Sequence, residues 1–391
     1  MSEPVIANRF DVPSAIISGG GSRHKLGGIA KELGASRVLI VTDPGVVELG
    51  VAGEIEGIIR DAGLAVSVFQ DVQPDPTDAN VTAGVAALQE HGADLVVAVG
   101  GGSPIDTAKV VAIRPTNRQP LSDYMGLHKI THPGVPLIAV PTTAGMGSEA
   151  TKVAVITDTE RDVKMMMLSA PLLPRIAIVD FELSLSMPKE LTAAVGVDTL
   201  THGMEAFVSK KSNPMTDPLA LSCIELVSKH LKRAWTDPND HDARGAMMLA
   251  ACQGGMAFSN SSVCLVHGMS RPIGAVFHLA HGLSNAILLP TVTSYSWTSA
   301  SERYATIAHT LGCADAATKP EHACGLLVEY LQDLNTFLEL PRLSQCRGVT
   351  RGIFERNVEK MASDAIASGS PANNPREPSS AEIVKLYNEA W

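Results

Sequence analysis

Long apolar runs are missing from this chain. No stretch approaches the roughly 18 consecutive apolar residues that a membrane-crossing helix needs, so helical spans are not expected. The opening MSEPVIANRFDVPS has no basic flank followed by an apolar core, so neither a secretory signal nor a transit peptide is expected, and the protein is expected to be cytoplasmic. No cysteine stands in a CxxC pair. The six at Cys223, Cys252, Cys264, Cys313, Cys324 and Cys346 are irregularly spaced and read as small buried hydrophobes in a reducing compartment. Dense Lys/Arg runs are also lacking, and the formal net charge is −10, which argues against nucleic acid or an anionic membrane as partner. Neither a repeat period nor a low-complexity tract is evident.

What is present is globular. The chain is 45% hydrophobic and 18% charged, and its 391 residues exceed what one hydrophobic core organises, so two domains are expected. Up to about residue 180, β-branched runs alternate with helical stretches. RVLIVTD (37–43), LAVSVFQDV (64–72), DLVVAVGGG (94–102), PLIAVPTTAG (136–145) and RIAIVD (175–180) read as strands. AGEIEGIIRDAG (52–63) and NVTAGVAALQEHGA (80–93) read as helices. Continuous apolar strands separated by helices imply a parallel sheet covered on both faces. Beyond Pro188 the strand signal fades, and 188–211, 217–235 and 242–261 carry helical spacing. The expected division is an α/β domain over 1–185 and an all-helical domain over 186–391, with the cleft between them a natural ligand site.

In DLVVAVGGGSPIDTAK a strand ends at Gly100, Gly101 and Gly102. Ser103 suits an N-cap and Pro104 the first helical position. A turn without side chains, leading into a helix with unpaired N–H groups, suits a phosphate. On its own it is equally a plain β-to-α turn, and it is not the GxGxxG fingerprint. Asp43, ending its strand, can bind a ribose 2′-hydroxyl and would repel a 2′-phosphate; it is also a natural turn residue before Pro44. SGGGS at 18–22 is a competing phosphate turn.

Only twelve histidines occur, yet three fall in VHGMSRPIGAVFHLAHG (266–282), with one arginine among them. Asp198 and His202, at i and i+4 in an apolar helical stretch, can chelate one ion. A buried carboxylate needs a counter-charge, which a divalent cation supplies. His267 and His281 are the best further ligands. His278, three residues before His281, could project inward with it, and spacing alone does not choose between them.

Taken together, GGGSPIDTAK, PTTAGMGSEAT, GVDTLTHGMEAF and VHGMSRPIGAVFHLAHGLSNAILLP resemble the iron-containing alcohol dehydrogenases, over nearly the whole chain. The resemblance implies an N-terminal nucleotide-binding α/β domain and a C-terminal helical domain, with metal and cofactor in the interdomain cleft. It implies Asp198, His202, His267 and His281 as metal ligands, leaving His278 outside the set or in a proton relay. It assigns the pyrophosphate of NAD to Gly100, Gly101, Gly102 and Ser103, demotes SGGGS, and places Asp106, Thr142, Thr143, Ser148 and Lys164 about the nucleotide. Asp43 falls at the position associated with NAD preference. The ion implied is Fe2+, with Zn2+, Mn2+ or Ni2+ possible. A mixed oxygen/nitrogen shell that must still admit substrate suits an ion accepting five or six ligands. The implied reaction is hydride exchange between NAD(H) and a small alcohol or aldehyde whose oxygen the metal polarises. A homo-oligomer, a dimer by resemblance, is expected. Many members carry a histidine where this chain has Arg271, which points to a substrate with an acidic group read by that guanidinium; pairing of Arg271 with a protein carboxylate such as Glu205 is the competing account. A dehydroquinate-synthase-like enzyme, or a non-catalytic metal-binding protein, are the alternatives.

Overall fold

The computed structural model describes residues 9–161 and 163–391; the first eight residues of the N-terminal stretch read above lie outside them. The chain forms two compact units, Asp11–Ser186 and Met187–Trp391, the described residues Arg9 and Phe10 grouping with the second.

The first unit is built on a six-stranded sheet of β1 (Ala15–Ser18), β2 (Arg37–Val41), β3 (Ala65–Phe69), β4 (Leu95–Gly100), β6 (Leu137–Pro141) and β9 (Ile176–Val179), in the order β1-β9-β6-β4-β2-β3. Every pairing is parallel. The helices α1 (Leu26–Glu32), α2 (Pro44–Glu48), α3 (Val51–Asp61), α4 (Asp78–His91) and α5 (Gly102–Ile113) make the crossovers. Alternate residues of one strand feed opposite cores. Val38, Ile40, Val97 and Val99 pack with Ile55 and Ile59 of α3. Leu39, Val41, Val96 and Ala98 pack with Leu88 of α4 and with Ile105 and Val111 of α5. This two-sided burial is why β4, and β2 beyond its exposed first residue Arg37, are apolar at every position. A second, three-stranded sheet was not read from the sequence: β5 (Gly126–Leu127) runs parallel to β8 (Val163–Leu168), which pairs antiparallel with β7 (Val153–Asp158).

Strand order fixes where a ligand can sit. After β3 the chain steps back over β2 to β4 and continues outward the other way through β6 and β9. The order therefore reverses between β2 and β4, and the crevice at the carboxyl ends of two such strands is where open α/β sheets bind ligands. Those ends carry Asp43 and Gly100.

The second unit is helical: α6 (Lys189–Val208), α7 (Asp217–Thr236), α8 (His241–Ser261), α9 (Leu265–Phe277), α10 (His281–Ser296), α11 (Ser301–Leu311), α12 (Pro320–Phe337), α13 (Arg351–Ala367) and α14 (Ser380–Glu389). α6 is buried on almost every face, which explains its weak amphipathic signal. Its glycines admit α7 closely: a Cβ on Gly196 would stand 2.2 Å from Leu231 Cδ1, and one on Gly203 3.1 Å from the Ala220 carbonyl oxygen. No helix among the described residues is long and apolar enough to cross a membrane.

Candidate metal and nucleotide sites

Three helices supply the metal-ligand set. Asp198 and His202 lie one turn apart on α6, His267 is the third residue of α9, and His281 is the first of α10. Asp198 Oδ1 is 3.8 Å from His202 Nε2, 3.7 Å from His267 Nε2 and 3.9 Å from His281 Nε2. One ligand atom from each residue lies within 4.8 Å of all the others. Four donors at bonds of about 2.1 Å to one tetrahedral centre stand about 3.4 Å apart, so Asp198 Oδ1 is within a few tenths of an ångström of that spacing from each of the three imidazoles. Asp198 is buried and its Oδ2 has no hydrogen-bond partner. A carboxylate oxygen left so in the interior fits a cation better than any neutral neighbour. Burial, reinforced by the charge of His202, holds His267 well below the ordinary histidine range, and burial pushes His281 down to about 3. Both imidazoles are therefore neutral near pH 7, the form that ligates metal.

Glu205 organises this set, a role its sequence position did not disclose. One turn beyond His202 and buried, its carboxylate accepts the N–H of Cys264 at 2.8 Å and that of Val266 at 2.6 Å. It thereby caps the start of α9. Its Oε2 also lies 2.7 Å from His267 Nδ1. A carboxylate there places the ring proton on Nδ1 and frees the Nε2 lone pair for metal, the usual arrangement behind a ligating histidine. Burial raises Glu205 to about 7 against the backbone donors that stabilise its anion. Asn285, one turn after His281, was also missed. Its Nδ2 donates to Asp198 Oδ1 at 2.6 Å and lies 3.2 Å from both His267 Nε2 and His281 Nε2, while its Oδ1 is unpartnered. An Asn four residues after a ligand histidine on one helix was the available signal.

Two expectations about residues 266–282 are corrected. His278 does not project inward with His281: it is exposed and ends α9 in the left-handed conformation, φ 53°. Only three residues join α9 to α10, so one of them must reverse the chain, and histidine tolerates positive φ better than its neighbours Leu279 and Ala280. α9 runs unbroken through Pro272 to Phe277. Arg271 keeps its place one turn after His267. It does not form an ion pair with Glu205, whose oxygens already accept three donors; its Nη1 donates to Ser370 Oγ at 2.9 Å.

In the first unit, α5 begins two residues earlier than Ser103 as cap implied: Gly101 is the N-cap and Pro104 the third helical residue. Gly100 has φ +144°, which opens the turn early, and a Cβ there would lie 3.2 Å from Asp43 Oδ2. The turn and Asp43 are thus neighbours. Asp43 also caps α2 by accepting Val46 N–H at 3.0 Å. Gly102 has a protein reason to lack a side chain, since its Cβ would meet Met146 Sδ at 2.3 Å. The Thr142 N–H donates to Gly100 O at 3.0 Å, and a Cβ at Gly101 would lie 3.5 Å from Thr143 Oγ1. The segment after β6 therefore lies along the glycine turn.

Asp106 and Ser148 engage the protein itself. Ser148 Oγ donates to Asp106 Oδ1 at 2.6 Å and Val155 N–H donates to Asp106 Oδ2 at 2.9 Å. The fully buried Lys109 Nζ donates to Ser148 Oγ at 2.8 Å, Thr151 Oγ1 at 3.0 Å and the Val153 carbonyl at 2.6 Å. Burial depresses this ammonium, and Asp106 opposes that shift. Lys164 sits on β8 and pairs with Asp75 at 2.6 Å. At SGGGS, the N–H groups of Gly21 and of Arg23 just beyond it donate to the Asp180 carboxylate, both at 3.1 Å, so a protein anion already fills that turn.

A parallel sheet with a glycine turn at its reversal point, and a helical unit with an Asp/His3 cluster, define a two-unit protein equipped for a nucleotide and a divalent metal. The iron-containing alcohol dehydrogenase model matches residues 13–181, and the model of that family's C-terminal part matches 192–391. The chain is 35% identical over 381 residues to an NAD-dependent methanol dehydrogenase of Bacillus methanolicus, covering 97% of this chain and 99% of that one. It aligns with the crystal structure of a 1,3-propanediol oxidoreductase at TM-score 0.95 and 34% identity, covering 99% and 100% of the two chains. A sulfoacetaldehyde reductase of Bifidobacterium kashiwanohense, solved with NAD+, aligns at TM-score 0.87 and 27% identity, covering 98% and 99%. The chain belongs to the iron-containing alcohol dehydrogenase family and is an oxidoreductase of that type, which leaves the dehydroquinate-synthase-like and non-catalytic readings without support.

Proposed function

We propose that this protein interconverts a small alcohol and its aldehyde with NAD(H), using a divalent ion held by Asp198, His202, His267 and His281. The observation that carries the reading is the convergence of one carboxylate and three imidazoles, with the second oxygen of the buried Asp198 left without a hydrogen-bond partner. When bound, the ion polarises the substrate oxygen while the nicotinamide exchanges hydride at the same carbon. Fe2+ is the ion favoured, ahead of Zn2+, Mn2+ or Ni2+, because a shell able to exceed four ligands leaves room for substrate. Glu205 holds His267 in the ligating tautomer.

The glycines 100–102 and Ser103 bind the pyrophosphate through backbone N–H groups at the start of α5, and Asp43 takes the ribose hydroxyls. Thr142 and Thr143 border the same turn. Asp106 and Ser148 contribute by fixing that segment in place, through Lys109. Lys164 acts only if nucleotide draws it from Asp75, and His278 is left to a surface proton path. The division of labour follows the two units, nucleotide over 1–185 and metal over 186–391. A cytoplasmic homodimer completes the reading; sedimentation equilibrium should return twice the chain mass.

The test is an NADH-oxidation screen of aldehydes on Fe(II)-reconstituted protein, with metal content measured in parallel. His267→Ala should lose both bound metal and turnover. Near-normal metal and rate in that variant would refute the assignment.

A further inference from the structure

We propose that Arg271 is an anion subsite beside the metal ligands, so that the substrate is an aldehyde, or its alcohol, bearing a terminal carboxylate or sulfonate. The proposal rests on the dehydrogenase reading above and names its substrate class.

Arg271 stands one helical turn after His267 on α9, half-buried. A guanidinium carries five N–H donors in a planar fork. Here one hydroxyl, Ser370 Oγ, is its partner at 2.9 Å, and no carboxylate among the described residues pairs with it. The obvious candidate, Glu205, is occupied by Cys264, Val266 and His267. Burial works against the Arg271 charge, and the Glu205 field only partly offsets it.

A formal count gives the consequence. Asp198 and Glu205 contribute two negative charges and Arg271 one positive, and a divalent ion would leave one positive charge over. A neutral substrate leaves that excess in place and the fork facing a single hydroxyl. An acid group on the substrate cancels the excess and takes parallel N–H donors in the bidentate geometry at which arginine excels. Arg271 would then select substrates without touching the reacting atoms.

The experiment has two arms on the full chain. In the first, butanoate and propane-1-sulfonate are titrated calorimetrically into wild type, Arg271→Met and Arg271→Lys. Losing a charged hydrogen-bond pair should weaken binding to Arg271→Met by about 10- to 100-fold, with Arg271→Lys between the two because it keeps the charge and loses the fork. The more tightly bound anion identifies the acid. In the second arm, kcat/KM for 4-oxobutanoate is divided by that for pentanal, and this ratio should fall by about the same factor in Arg271→Met. Equal anion binding by wild type and Arg271→Met, or an unchanged ratio, would overturn the proposal. Failure of the wild type to turn over either aldehyde would instead count against the dehydrogenase reading, while the binding arm would still decide the role of Arg271.

Discussion

Replacing Glu205 tests whether the metal site is held from behind. Its two oxygens accept three donors, with the Cys264 N–H and His267 Nδ1 on Oε2 and the Val266 N–H on Oε1. Glutamine has one oxygen. Turned toward Cys264 and His267 it keeps those bonds, and its NH2 then confronts the Val266 N–H. Turned the other way it leaves two donors unmet. The first orientation costs less, so Glu205→Gln loses one buried hydrogen bond, on the order of 1–3 kcal/mol of stability, and the negative charge that makes His267 a better donor to metal. Glu205→Ala removes all three contacts and frees the imidazole to rotate or change tautomer. Removing such supporting groups typically costs about 10- to 100-fold in metal affinity. Glutamine is expected near the lower figure and alanine near the higher. Competition against a chromogenic chelator gives the dissociation constant, and thermal melts of metal-free protein separate the folding cost from the binding cost. The reasoning is refuted if Glu205→Ala binds metal as tightly as wild type, because the carboxylate would then serve only to cap α9.

How much of this could be read in advance depended on whether a signal was local. The strands within 37–43 and 94–102 are legible because the part of a strand covered on both faces, Val38–Val41 and Leu95–Val99 here, has no polar positions. The small sheet escaped notice. In VAVITD and VKMMML buried and partly buried residues alternate, and a single short hairpin inside an α/β pattern gives no period to count. Asp198 and His202 were legible as an i, i+4 pair on one helix. His267 and His281 were narrowed to the right stretch by composition, but the choice of His281 over His278 came from family resemblance. Geometry supplies its cause, the reversal at His278. Glu205 was considered only as a partner for Arg271, since nothing in the sequence says that a residue on α6 will cap α9. Nothing in the sequence marks Lys109. A lysine in an apolar helix reads as a solvated residue, and here it is the buried tie that joins α5 to the segment beyond β6 through Ser148, Thr151 and Val153.

Asp43→Gly should relax discrimination against NADP(H), because a carboxylate beside a 2′-phosphate is a like-charge contact; comparable kcat/KM for both cofactors in the wild type would defeat that role. Lys109→Met should cost on the order of 3 kcal/mol in denaturant melts, by leaving Asp106 buried without its cation, and a change under 1 kcal/mol would show that the Ser148 and Val155 bonds suffice. The sharpest steric test is Gly282→Ala. A Cβ on Gly282 would stand 2.7 Å from the Ala194 carbonyl oxygen and 3.0 Å from its carbon, both backbone atoms of α6 that cannot swing aside as a side chain could. The start of α10 must therefore move off α6. His281 is the residue immediately before and the first of that helix, whereas Asp198 and His202 stay on α6, so the displacement is taken up within the ligand set itself. Overpacking of this kind costs about 1–3 kcal/mol in stability, and metal affinity should fall with it. A Gly282→Ala protein that melts lower yet binds metal with unchanged affinity would show that His281 is not held by the packing of α10 on α6.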